Sequence, residues 1–150
     1  SIITKYKNAF AAIPLLVSFI PMLMDTGGNC GSQSSTLIIR GIALGEIRFS
    51  DLFRVMFKEF RVSLIVGVVL ALANGLRILI MYRNAGLALV IGLSLVATVI
   101  ISKLIGCLLP LFAKKLHMDP AIMASPLITT LVDTCSILIY FNIATRIFQL

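Results

Sequence analysis

The sequence predicts an all-α membrane protein, a transmembrane bundle of four spans, and three observations carry that prediction. Hydrophobic residues fill 59% of the 150 positions and charged ones 13%, with a mean hydropathy of +1.08, outside the range of soluble chains. Several apolar runs reach the ~20 residues that a helix needs to cross a bilayer, and they lack the alternation of a barrel strand. Helices and closed barrels are the only structures that pair every backbone group in lipid, so helices follow. Third, the basic residues gather between the apolar runs, which makes membrane topology the simpler cause of the +7 net charge. No basic patch is interleaved with aromatics, and no nucleic-acid partner is expected.

The first span runs from Ala9 to about Ile42. Lys5 and Lys7 ahead of it imitate a signal peptide, but Pro14, Pro21 and Asp25-Thr26-Gly27-Gly28-Asn29 interrupt the run and no small-x-small cleavage site follows. It is overlong for one crossing, and Gly27, Gly28 and Gly31 predict a kink or two half-helices. Between the first and second spans lie Arg40, Arg48, Arg54, Lys58 and Arg61, against Glu46, Asp51 and Glu59, which marks the cytoplasmic side. In that stretch Ile47, Phe49, Leu52, Phe53, Met56, Phe57 and Phe60 fall at helical spacing, predicting an amphipathic interfacial helix.

The second span covers Val62 to Met81, where Asn74 and Gly75 read as close helix packing. The third covers Ala85 to Phe112 and contains Lys103, expected to snorkel to the cytoplasmic headgroups rather than to meet a carboxylate. The fourth runs from Pro120 to Phe148 after the Lys114-Lys115 loop. The inside loops then hold seven basic residues against five outside, which puts Ser1 outside and predicts a piece of a longer chain that has lost an earlier spanning helix. Cys30, Cys107 and Cys135 match no metal or redox spacing and read as packing residues, and His117 reads as a loop residue.

Asp133 is the residue that asks for a function. A carboxylate at bilayer depth costs about 3 kcal/mol on insertion scales, so it is expected to face a bundle interior or a wet path. Ser125, Thr129, Asp133, Ser136 and Tyr140 fall within one stripe of roughly 80° on the last helix. On the first span Asp25, Asn29, Ser32 and Thr36 share a face, beside a small-residue face of Gly28, Gly31 and Ser35. Two oxygen-rich helices that meet around water suit a hard divalent cation. Magnesium fits best, because it keeps its water and needs one or two carboxylates plus acceptors. Doubling Asp133 across a two-fold axis would favour a double charge, while Asp25 facing Asp133 in one subunit is the other arrangement.

The stretches Pro21-Met-Leu-Met-Asp-Thr-Gly-Gly-Asn-Cys-Gly-Ser-Gln-Ser-Ser-Thr-Leu37, Arg40-Gly-Ile-Ala-Leu-Gly-Glu-Ile47 and Asp119-Pro-Ala121 through Ser125-Pro-Leu-Ile-Thr-Thr-Leu-Val-Asp-Thr134 resemble the MgtE family of magnesium channels over nearly the whole chain. The resemblance implies the last four of five membrane helices as a single pore domain at 1–150, multi-pass in a prokaryotic plasma membrane. The first membrane helix and the cytoplasmic N-terminal and CBS regulatory domains would lie outside this chain. It implies a homodimer with the pore at the interface and magnesium as the transported ion, with manganese, cobalt or calcium as substitutes. It also implies metal contacts at Asp133, at the Thr129 carbonyl and, on the cytoplasmic side, at Asp119. Pore-lining positions would be Asp25, Gly28, Asn29, Gly31, Ser32, Ser35, Ser125, Pro126, Thr130 and Ser136.

Three rivals stand beside this reading. A proton- or sodium-coupled divalent cation transporter would use the same acids for its driving ion. An intramembrane aspartyl protease would pair Asp25-Thr26-Gly27 with Asp133-Thr134, but no strand pattern surrounds the tripeptide, so no enzyme is expected. A structural membrane subunit would leave Asp133 without a role.

Overall fold

The computed structural model describes residues 14–123 and 125–149, with the side chain of Ser125 outside that description. Four long helices are seen: α1 Ile20–Ala43, α2 Leu52–Tyr82, α3 Ala85–Lys115 and α4 Ser125–Phe148. No strand occurs among the described residues. The stretches Phe49–Tyr82, Ala85–Lys115 and Pro120–Phe148 are long and apolar enough to cross a membrane. Helix α1, at 24 residues, is also long enough at ~36 Å, but its polar motif keeps it out of that group. The chain is a multi-pass membrane protein.

The first span is broken, but away from the glycines. Residues 14–18 are helical, Phe19 forms a turn, and α1 then runs unbroken through Gly27, Gly28 and Gly31. Pro21 marks the place: it lacks an N–H and stands in the first turn of α1, where no intrahelical donor is needed. The glycines serve packing instead. A Cβ on Gly106 of α3 would collide with the Gly31 carbonyl, so α1 and α3 cross backbone against backbone at that pair. Positions 9–13 of the expected span lie outside the described residues.

The expected interfacial helix is not a separate element. A 3-10 turn at Phe49–Asp51 leads directly into α2, whose 31 residues extend ~47 Å and so carry the amphipathic stretch as their first turns. No glycine or proline stands between Asp51 and Gly67 to stop the helix. Arg83 in the left-handed conformation (φ 50°) ends α2, and the Asn84 side chain caps α3 by accepting from the Leu87 N–H at 3.0 Å. The link is so short that α2 and α3 pack as an antiparallel pair.

Helix α3 is central and packs on the other three. One apolar cluster joins Leu16, Phe19 and Leu23 to Leu87, Ile91 and Tyr140 at one end of the bundle; a second joins Ile38, Val55, Cys107 and Leu111 at the other. The middle layer is small and polar, with Gly27, Gly31, Ser34, Ser102, Lys103 and Ser136 all buried.

Lys103 corrects its expectation. Its Nζ does not snorkel but lies 3.4 Å from Glu59 Oε2 on α2, with both side chains 8% exposed. Ser34 of α1 completes the group, donating its hydroxyl to Glu59 Oε2 at 2.6 Å and accepting from Lys103 Nζ at 3.2 Å. A carboxylate and an ammonium that neutralise one another in the interior need no headgroup, so the lysine turns inward.

Candidate cation site

Helices α1 and α4 meet along an open groove of about 280 Å³, lined by Met24, Asp25, Gly28, Asn29 and Ser32 from one and by Thr129 and Asp133 from the other. The α1 residues recur at intervals of three and four, so one face of a regular helix supplies them all. Gly28 lies at the closest approach: a Cβ there would stand 3.3 Å from Thr129 Cγ2, so the threonine side chain would have to shift by a few tenths of an ångström.

The hydroxyls of Thr129 and Thr130 both donate to the Pro126 carbonyl one turn back, at 3.0 and 2.9 Å. Their protons are therefore spent inside the helix. A hydroxyl in that state offers only acceptor lone pairs outward, which suits a cation or its bound waters. Of these two, Thr129 lines the groove; Thr130 is exposed on the flank, as is Pro126.

No basic residue lines the groove. Among the described residues the ion pairs are Arg54 with Asp51 and Lys103 with Glu59, and the Asp133 carboxylate has no basic partner among them. Asp25, exposed on α1, adds a second carboxylate to the same groove, and the two share no hydrogen bond. A low-dielectric cleft with charge of one sign concentrates counter-ions. Among the described residues no three of His, Cys, Asp and Glu come together, so the donors are oxygens spread along a groove rather than a closed cage.

Several expected positions lie elsewhere. Gly31 faces Ile128, Val132 and the Ser102 carbonyl, inside the bundle. Ser35 is buried and donates to the Met123 carbonyl at 3.1 Å, tying α1 to the 3-10 turn Pro120–Met123 ahead of α4. Ser136 is buried against Gly27 and donates to the Val132 carbonyl at 2.7 Å. Tyr140 is fully buried, its hydroxyl donating to the Leu16 carbonyl at 2.8 Å. Among the described side chains, the polar stripe on α4 thus opens to the groove at Thr129 and Asp133, because α1 at Gly27 covers Ser136 and the segment before Pro21 covers Tyr140. Asp119 stands in the loop before α4, where its Oδ1 accepts from the Ala121 N–H at 3.0 Å. The Ser125 side chain lies outside the described residues.

Two contributors escaped the sequence reading. Met24 lines the groove although it is apolar. Glu59 enters the sequence reading only as one of the acids counted on the cytoplasmic side, yet Val55, Glu59, Ser63 and Gly67 form a buried ladder at four-residue intervals on α2, and that spacing is the available signal.

Comparison with known proteins bears on the same residues. The sequence pattern of the family described as MgtE, divalent cation transporter, matches residues 20–143. A protein of Bacillus subtilis named magnesium transporter MgtE is 40% identical over 97% of this chain and 32% of its own length. Proteins of that name from Thermus thermophilus and Enterococcus faecalis are 36% and 34% identical, over 99% and 97% of this chain and 33% and 32% of theirs. The chain spans about a third of the length of these curated relatives.

Proposed function

The chain belongs to the MgtE family of divalent cation transporters, and from that premise we propose that it forms the ion path for magnesium, the ion named for its bacterial relatives. That family is one of transporters, not of enzymes. The observation that carries the reading is the groove in which Asp133, without a basic partner, faces Thr129, Asn29, Ser32 and Asp25.

The groove supports passage of a hydrated ion rather than a stripped one. Six waters occupy about 180 Å³, which the groove's volume accommodates, and magnesium gives up its waters reluctantly. Waters bound to a cation are strong donors, and Asp133, Thr129 and the Asn29 side-chain carbonyl are acceptors for them. Manganese, cobalt and calcium take the same oxygen donors, so they substitute with an order set by hydration.

One wall of a path is not a path. The groove is open on its outer side, and a second copy across a two-fold axis would close it with an identical wall, bringing two Asp133 carboxylates to one level. Two such charges in a low dielectric favour a divalent over a monovalent ion. Asp119, before the start of α4, would add a carboxylate at the cytoplasmic mouth, with its remaining partners on the parts of the longer relatives that this chain does not match.

Flux into liposomes carrying an internal magnesium dye, with the full-length protein reconstituted, tests the reading. Asp133→Asn is expected to cut magnesium uptake at least tenfold while the protein stays folded. Uptake that persists in this variant defeats the proposal. Uptake that stops when the proton and sodium gradients are collapsed would replace a channel by a coupled transporter.

A further inference from the structure

The outward stripe of α2 changes character along its length. Arg54, Lys58 and Arg61 lie at intervals of four and three residues, and Ile65, Val68, Leu72 and Leu76 continue the same face. All are exposed, Ile65 to 68%, Leu72 to 69% and Leu76 to 61%. Between the cations stands Phe57, 63% exposed, with the Arg61 guanidinium 5.9 Å from its ring centroid. A cavity of about 410 Å³ is formed here by Arg54, Phe57, Lys58, Arg61, Val62 and Ile65.

We propose that this stripe is a binding site for one anionic glycerophospholipid, its phosphate and headgroup held by Lys58 and Arg61 and its acyl chain lying along Ile65, Leu72 and Leu76. Three features argue for that occupant. The cations span ~10 Å along the helix axis, comparable to a headgroup layer, and the aliphatic stripe begins where they end. Of these three cations, only Arg54 has a carboxylate partner among the described residues, Asp51 at 3.5 Å, which leaves Lys58 and Arg61 to an external anion. A second copy of this chain is a poor occupant, since a two-fold axis through the stripe would set three cations against three.

The Phe57 ring lies within cation–π range of the Arg61 guanidinium and keeps that cation beside the phosphate position.

Native mass spectrometry of the full-length protein, released from nanodiscs of phosphatidylcholine doped with phosphatidylglycerol, tests the site. Retained phosphatidylglycerol should exceed its share of the bilayer. Lys58→Gln and Arg61→Gln should each lower that preference roughly fivefold, and the double variant should abolish most of it. The exchange Lys58→Arg with Arg61→Lys should keep it, and Arg77→Gln at the far end of α2 should leave it unchanged. Equal retention of the two lipids by the unaltered protein overturns the proposal, as does a double variant that still prefers phosphatidylglycerol. Displacement of the lipid by millimolar inorganic phosphate would make this a free-anion site and also overturn it. So would a cross-link showing Lys58 covered by a cytoplasmic segment of the same chain.

Discussion

Glu59 and Asp133 are both carboxylates on long apolar helices, and the fold treats them in opposite ways. Glu59 is enclosed, with Lys103 3.4 Å away and the Ser34 hydroxyl at 2.6 Å. Asp133 opens on a groove of oxygen acceptors and has no cationic partner among the described residues. The first is a structural charge, neutral as a pair and costly to disturb. The second is left available for a charge that arrives from outside. The Glu59 pair ties three helices together whereas Asp133 is left open on the groove, and the difference runs through a single helix: Ser34 of α1 serves the pair, while Asp25, Asn29 and Ser32 line the groove.

Breaking the pair should give the largest change in stability. Lys103→Met leaves Glu59 buried and unpaired and is expected to cost about 3–5 kcal/mol. The double variant Lys103→Met with Glu59→Leu should recover most of that loss, read as the melting temperature in detergent. Next comes Tyr140→Phe, which strands the buried Leu16 carbonyl and should cost about 1–2 kcal/mol while magnesium uptake is retained. Ser35→Ala removes the tie to Met123 and should cost about 1 kcal/mol. The smallest shift in stability belongs to Asp133→Asn, within about 0.5 kcal/mol of the parent, because no intrachain partner is lost. It is also the change with the largest expected loss of transport. If Asp133→Asn destabilised the protein as much as Lys103→Met, the contrast between the two carboxylates would collapse.

Much of this was visible in the residue order. The lengths of the apolar runs set the helices, since hydrocarbon thickness and backbone pairing leave few alternatives. The intervals of Asp25, Asn29 and Ser32 and of Thr129 and Asp133 put each set on one helix face, and those faces do meet. The stripe of α4 was read too generously, because a helical angle cannot tell which turns of a face another segment will cover. Ser136 and Tyr140 belong to that stripe by angle and to the interior by packing. The break falls at Phe19 rather than at the glycines because a glycine permits a bend without requiring one, while Pro21 has no N–H with which to continue the helix of residues 14–18.

The sequence alone determined that the chain is helical, that it lies in a membrane, and that two of its helices each carry a polar face, because each is a local property of composition and period. Only the tertiary structure decided which carboxylate is neutralised. Ser34, Glu59 and Lys103 are separated by 25 and 44 residues along the chain and sit on three different helices. A periodicity reports the face on which a side chain lies; which charge that face will meet is settled when the helices pack, where burial makes an unpaired ion too costly to keep.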